Sequence, residues 1–345
     1  MSRIFVHGLG AISPAGWGVA PLQTALTKGD PIPTQSVVRS GWKKPLQIRN
    51  VPPPATRPDF FAHPRLRRAS DISLHTVAAA LEALGDDVVR IQAGDLRLGI
   101  VVCTMAGSVT YSRRFYEEVL REPALASPQL FPETVFNAPA SHLAAYLNTN
   151  ETGYTLVGDD GTFLQGLAMA ADWLLDDRAD GVVVVGAEEM DWVVTEAIRL
   201  FKPDAIHSTG AGAIYLRKEK PPADGAELAG ITDSFLFTQN QNRTEAARKM
   251  RAQLPPGGTD ELLCLSAQPN PLAAAAENAA WRDWSGRRLA PKSILGEGFT
   301  ASAAWQCVAA CNAIASGRFS AVNASVVGVN QQAIGARFRA CAQTG

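Results

Sequence analysis

The amino-acid sequence predicts an α/β fold whose sheets are covered by helices on both faces. Three observations support this. Residues 181–186 read GVVVVG, a β-branched run too short for a helix and bounded by glycine. Residues 161–175, just before it, are rich in Ala and Leu at helical spacing. A similar alternation of strand and helix returns after residue 225, in shorter form.

In chain order, residues 3–7 form a short first strand that ends at Gly8-Leu9-Gly10. Residues 31–58 are rich in Pro and basic side chains without clear periodicity, which predicts a surface excursion. Residues 71–84 carry apolar side chains at helical spacing, with Ser70 or Asp71 placed to cap the helix. The continuous apolar run at 98–103 reads as a buried strand, 141–147 as a short helix and 153–157 as a strand. Residues 211–216 give one more strand, and 221–225 read as a joint. Beyond it come a strand at 261–266, a helix at 272–281, a longer helix at 301–316 and a strand at 325–329.

Composition narrows the function classes. Apolar residues make up 46% of the chain and charged residues 19%, enough to bury a sizeable core. The formal net charge is −1 and no long block of like charges occurs, which argues against nucleic acid or an anionic membrane as the main partner. The basic clusters Arg65-Leu66-Arg67-Arg68 and Arg248-Lys249-Met250-Arg251 read as solvated faces. The five cysteines (Cys103, Cys264, Cys307, Cys311, Cys341) form no CxxC pair and read as reduced thiols of a cytoplasmic protein. Cys103 and Cys264 lie in apolar strands and are expected to be inert, and Cys307 and Cys311 share a helix face suited to core packing. The five histidines show no metal-ligand spacing, so neither a metal nor another cofactor is expected. No run reaches the ~18 apolar residues a membrane span needs. The N-terminal apolar stretch is broken by His7, Gly8, Gly10, Ser13 and Pro14, and reads as a strand entering a turn rather than a signal peptide.

Residues 5–16, FVHGLGAISPAG, resemble the opening strand and turn of β-ketoacyl synthases; a dinucleotide-binding fingerprint would need glycine where Ser13 stands. FPETVFNAPASHLAAYL (131–147) followed by GYTLVGDDGTFLQGLAMAADWLLDDRADGVVVVGAEE (153–189) resembles the ketosynthase centre in order and spacing. Its ending Gly186-Ala187-Glu188 matches the family's GGAE, with Val185 for the first glycine. STGAGAIYL (208–216) resembles the GEGAG turn, and PKSILGEG (291–298) resembles the KSxxGH turn ahead of a small-residue helix. These matches span most of the chain in the family's order. The resemblance implies a thiolase-like, duplicated five-layer αβαβα fold. Residues 1–220 would be the N-terminal half, with a degenerate nucleophile turn, and 221–345 a shortened C-terminal half.

The departures from the family bear on function. A ketosynthase takes an acyl group on a cysteine thiolate at a helix N-terminus. In that family two histidines assist decarboxylation and stabilise developing negative charge. Counting forward from Asn137 and back from Glu188 both put the cysteine position on Asp160. Glu297 replaces the histidine of KSxxGH, while Lys292 keeps the family's lysine and is expected to pair with a nearby carboxylate. The other histidine position falls on Ser266, anchored on Pro271 in LLCLSAQPNP, and the terminal GFGGxN loop has become NASVVGVNQQ (323–332). A carboxylate at a helix N-terminus can cap it, but is a poor acyl acceptor because a mixed anhydride hydrolyses readily. Asp159-Asp160 reads as a capped, solvated turn rather than a metal site.

The resemblance therefore implies a non-condensing, chain-length-factor-like subunit. Such a subunit pairs with an active ketosynthase as a heterodimer in a type II polyketide or fatty-acid-like pathway, of which aryl-polyene synthesis is one setting. It would meet the acyl carrier protein through that complex. Leu130 aligns with a position lining the acyl pocket near the dimer interface and is the candidate length gate, with plain core packing as the alternative. Two other readings stay open. One is altered chemistry, a malonyl-carrier decarboxylase or a hydrolase using Asp160 or Glu297, and the other is a homodimeric acyl-binding protein.

Overall fold

The structure is a computed structural model and describes residues 3–42, 44–200, 204–221, 225–238, 243–266, 271–329 and 331–341. Its main sheet has twelve strands, ten of which form two sets of five; the other two, Gly16–Trp17 and Phe235–Leu236, are short side pairings. The first set is β1 (Phe5–Ser13), β2 (Leu98–Thr104), β3 (Gly153–Val157), β4 (Gly181–Glu188) and β5 (Gly210–Arg217). The second is β6 (Ala226–Ile231), β7 (Glu261–Leu265), β8 (Arg287–Leu289), β9 (Ala321–Val327) and β10 (Gln332–Ala340). Neighbours run β3-β2-β4-β5-β1, then β6-β10-β9-β7-β8. Read from its outer edge to the junction, each set thus places its third, second, fourth, fifth and first strands in that order. In each, the fifth strand is antiparallel to both neighbours and the other pairs are parallel. The sets meet where β1 and β6 pair antiparallel at Phe5 and Glu227.

Helices complete the layers. α1 (Asp71–Leu84) and α2 (Ala138–Leu147) cover the outer face of the first set. α3 (Thr162–Leu175) lies inside, and α4 (Arg243–Ala252) and α5 (Pro271–Ala280) cover the outer face of the second set. α6 (Phe299–Ala315) joins α3 in the middle layer, touching β1, β2, β4 and β5 on one side and β6, β7, β9 and β10 on the other. A helix buried between two sheets must be apolar or small all round, and FTASAAWQCVAACNAIA is. The expected core packing of Cys307 and Cys311 follows, since both are buried in this layer. The five layers are those of the thiolase-like fold.

Three expectations need correction. β1 does not stop at Gly8-Leu9-Gly10 but continues to Ser13, with an irregular register between Val6 and Gly8. The glycines serve helix packing instead: a Cβ on Gly8 or Gly10 would lie 1.8 Å from the Ala83 carbonyl oxygen or 1.9 Å from that of Ala79. The excursion at 31–58 contains a small sheet, in which Gln35–Val37 pairs with Leu46–Arg49 and the latter with His207–Ser208. Ser70 occupies the α1 cap position, yet its hydroxyl bonds Ser73 Oγ at 3.0 Å and caps nothing. The joint at 221–225 falls largely outside the described residues.

Candidate functional site

The turn from β3 into α3 carries Asp159 and Asp160, which are 1% and 0% exposed. The expected solvated turn is therefore wrong, because both carboxylates find partners in the second half of the chain. Asp159 Oδ1 accepts from Gly161 N at 3.2 Å and Gln332 Nε2 at 3.0 Å, and its Oδ2 accepts from Gln331 N at 3.1 Å and Gln332 N at 3.4 Å. Burial, with the charge of Asp160 adding to it, raises the Asp159 pKa against these hydrogen bonds.

Asp160 Oδ2 accepts from Lys292 Nζ. Lys292 sits on the one-turn helix Pro291–Leu295, after which Gly296 at φ 96° turns the chain back. That turn brings Glu297 onto the same ammonium, with Nζ 2.9 Å from Oε1 and 3.0 Å from Oε2. Glu297 Oε1 also accepts from Phe299 N at 3.0 Å, and Phe299 holds the left-handed φ of 44° rarely adopted by a bulky residue. Burial alone would lower the Lys292 pKa, but the charges of Asp160 and Glu297 outweigh it and hold the ammonium above its ordinary value. The expected pairing of Lys292 with a carboxylate is thus present twice over. An aspartate so engaged is a counter-ion and not a free nucleophile.

Ser266, at the end of β7, belongs to an adjoining cluster. Its Oγ donates to Glu277 Oε1 on α5 at 3.2 Å, and the same oxygen accepts from Ser325 Oγ at 2.5 Å. Trp281 Nε1 donates to Ser325 Oγ at 2.9 Å. Burial pushes the Glu277 pKa up to about 7, while the nearby charge of Lys292 pulls it down. Residues 267–270 and Asn330, parts of the two aligned loops, lie outside the described residues.

Sequence reasoning missed Glu277, a lone acid within PLAAAAENAA on a helix whose neighbours are alanines; that isolation was the available signal. It also gave no role to Glu188. This buried carboxyl accepts from Thr104 Oγ1 at 3.2 Å, Ala106 N at 3.1 Å and Thr300 Oγ1 at 3.0 Å, so it ties β2 and β4 to α6. Burial raises its pKa to about 8. All five cysteines are buried, and burial raises the thiol pKa of each, Cys264 to about 12. Among the described residues, no group of His, Cys, Asp and Glu could hold a metal ion, and no helix is long and apolar enough to cross a membrane.

Leu130 lies elsewhere, half-buried before the one-turn helix Phe131–Glu133, so it is not part of the closed core. Phe131, Val135 and Phe136 after it are exposed, as are Tyr154 and Val157 on β3. β3 is an edge strand and pairs only with β2 among the described residues. Glu133, buried beneath, bonds His142 Nε2 at 2.7 Å.

With this geometry in hand, comparison with known proteins gives a consistent answer on fold. The chain matches no protein-family description and no curated protein. Solved structures do match over nearly the whole length. One is a β-ketoacyl synthase from Burkholderia phymatum STM815, at 15% identity and a TM-score of 0.78, covering 99% of this chain and 100% of that one. Another is the ishigamide ketosynthase/chain length factor, at 19% identity and a TM-score of 0.76, covering 99% and 100%. A third is a type II polyketide synthase acyl-carrier protein in complex with its ketosynthase bound to the hexaketide, at 15% identity, a TM-score of 0.78 and 99% coverage of each chain. The fold is that of the thiolase-like ketosynthases.

Proposed function

We propose that this chain is a non-condensing, chain-length-factor-like subunit that pairs with an active ketosynthase and shapes its acyl pocket. It would serve a cytoplasmic type II polyketide or fatty-acid-like pathway, aryl-polyene synthesis being one setting. The observation that carries the reading is the buried ion triad of Asp160, Lys292 and Glu297, at the positions where the resemblance puts nucleophile, lysine and histidine. A condensing site needs a thiolate and neutral hydrogen-bond donors there. This site offers two carboxylates satisfied by one ammonium.

Support for pairing comes from the edge of β3. Exposed Tyr154 and Val157 lie on an edge strand of the kind that proteins otherwise protect, and Phe131, Val135 and Phe136 are exposed on the same half of the chain. Leu130, half-buried and next to exposed Phe131 in the chain, would line the path of a partner's acyl chain, and the carrier protein would be met through the complex. Residues 1–220 would supply the degenerate turn and the pairing edge, and 221–345 the lysine and Glu297.

The test is coexpression with ketosynthases from neighbouring genes, followed by size-exclusion chromatography and a condensation assay. A stable heterodimer whose product length changes with Leu130→Phe supports the proposal. A homodimer that decarboxylates malonyl carrier by itself, and loses that activity with Asp160→Asn, replaces it with altered catalysis.

A further inference from the structure

A cavity of about 380 Å³ opens between α1 and the proline-rich segment at residues 50–54, and no member of the ion triad lines it. Its walls are aromatic: the Trp17 ring meets Phe61 at 6.0 Å and His75 at 5.7 Å, both edge-on. Trp17 is fixed in place by donating from Nε1 to Pro52 O at 2.8 Å. Its charged lining residues are both acidic, Asp71 exposed at the rim and Glu189 buried deeper. Glu189 is rigidly set, accepting from Ile72 N at 3.2 Å and Thr110 N at 2.8 Å.

His75 lines the same space and is 8% exposed, and its Nδ1 has no hydrogen-bond partner among the described residues. Burial lowers its pKa to about 4, so the ring is neutral at physiological pH. A neutral imidazole can accept a hydrogen bond but adds no positive charge to repel a cation.

We propose that this cavity binds a small organic ammonium, with its apolar body against Trp17 and Phe61 and its N–H groups toward Asp71, Glu189 and His75. The size suits a ligand of about ten heavy atoms, and aromatic faces beside the exposed Asp71 carboxylate are the combination that selects cations over anions. A primary ammonium fits better than a quaternary one, because it carries N–H donors for the Asp71 carboxylate that a quaternary ammonium lacks.

Calorimetric titration of the full chain with phenethylammonium tests this, with phenylpropionate as an anion of similar size and tetramethylammonium as a cation without N–H. The expected result is saturable binding of phenethylammonium, weaker binding of tetramethylammonium and none of phenylpropionate. Asp71→Asn, at an exposed position, should weaken phenethylammonium about tenfold. Phe61→Leu should weaken it too while leaving the thermal midpoint close to that of the parent. Equal binding of the anion, unchanged affinity in Asp71→Asn, or no saturable binding at millimolar ligand would each overturn the proposal.

Discussion

Lys292 occupies a place where an ammonium is costly alone and needed by its neighbours. It is 5% exposed, and Asp160 and Glu297 are 0% and 2% exposed, so each charge depends on the others. Lys292→Met keeps the side-chain volume but strands two buried carboxylates, and is expected to cost about 3–5 kcal/mol in urea unfolding. Adding Asp160→Asn and Glu297→Gln to it should recover most of that loss. An unchanged urea midpoint in the single variant would mean that water already compensates the carboxylates. On the proposed alignment, with Ser266 and Glu297 at the two histidine positions, Asp160→Cys is expected to yield no condensing activity by itself; a condensation assay checks this. The positions of Asp160, Lys292 and Glu297 were legible in the sequence through their spacing from Asn137, Glu188 and the KSxxGH-like turn. The hold of Gln332 on Asp159 was not, since it joins two altered turns 173 positions apart and no spacing rule links them.

Elements were legible where one physical signal dominated. The valine run of β4 and the small-residue α6 are buried on every side, so hydrophobicity alone marks them. β6 and β10 escaped because charges interrupt them: Glu227 on β6 pairs with Arg339 on β10 at 2.8 Å, and Arg337 pairs with Glu261 at 2.6 Å. Cross-strand ion pairs stabilise such strands only after the chain has brought them together. β1 was cut short because glycine usually ends a strand, whereas Gly8 and Gly10 let α1 lie directly on the backbone. Gly10→Ala should therefore destabilise the protein by about 3 kcal/mol or more, measured by denaturant unfolding, since its methyl group would meet a backbone carbonyl that cannot rotate away. At the β3 edge, Tyr154→Asp with Val157→Asp should leave the monomer folded, at a modest cost from the lost packing of Tyr154 on Trp173, since both side chains are about half exposed. The same double variant should abolish copurification with a ketosynthase, and retained copurification would place the interface elsewhere.

Across the whole molecule, the fold buries several carboxyls whose pKa values lie well above the ordinary value. Burial raises Glu188 to about 8, and Glu189 and Glu277 to about 7, from an ordinary value of 4.5. A carboxyl whose pKa is raised by folding contributes its full stability below the ordinary value and loses it as pH rises toward the folded value. Surface carboxylates act the other way. Hydrogen bonds from Arg97 and Arg337 lower the pKa of Asp180 and Glu261, so their contribution is present above the ordinary value and lost as pH falls. The two trends together place the stability maximum in mildly acidic solution. The thermal midpoint is expected to fall steadily from about pH 5 to about pH 8, in the window set by the three raised carboxyls. Glu277→Gln isolates one of them. Its amide oxygen can still accept from Ser325 and Ser266, but the side chain no longer ionises, so the slope below about pH 7 should become shallower. A midpoint that stays level or climbs across that range would mean that these carboxyls are charged in the folded protein. The packing of Glu188 between β2, β4 and α6 would then need a compensating cation.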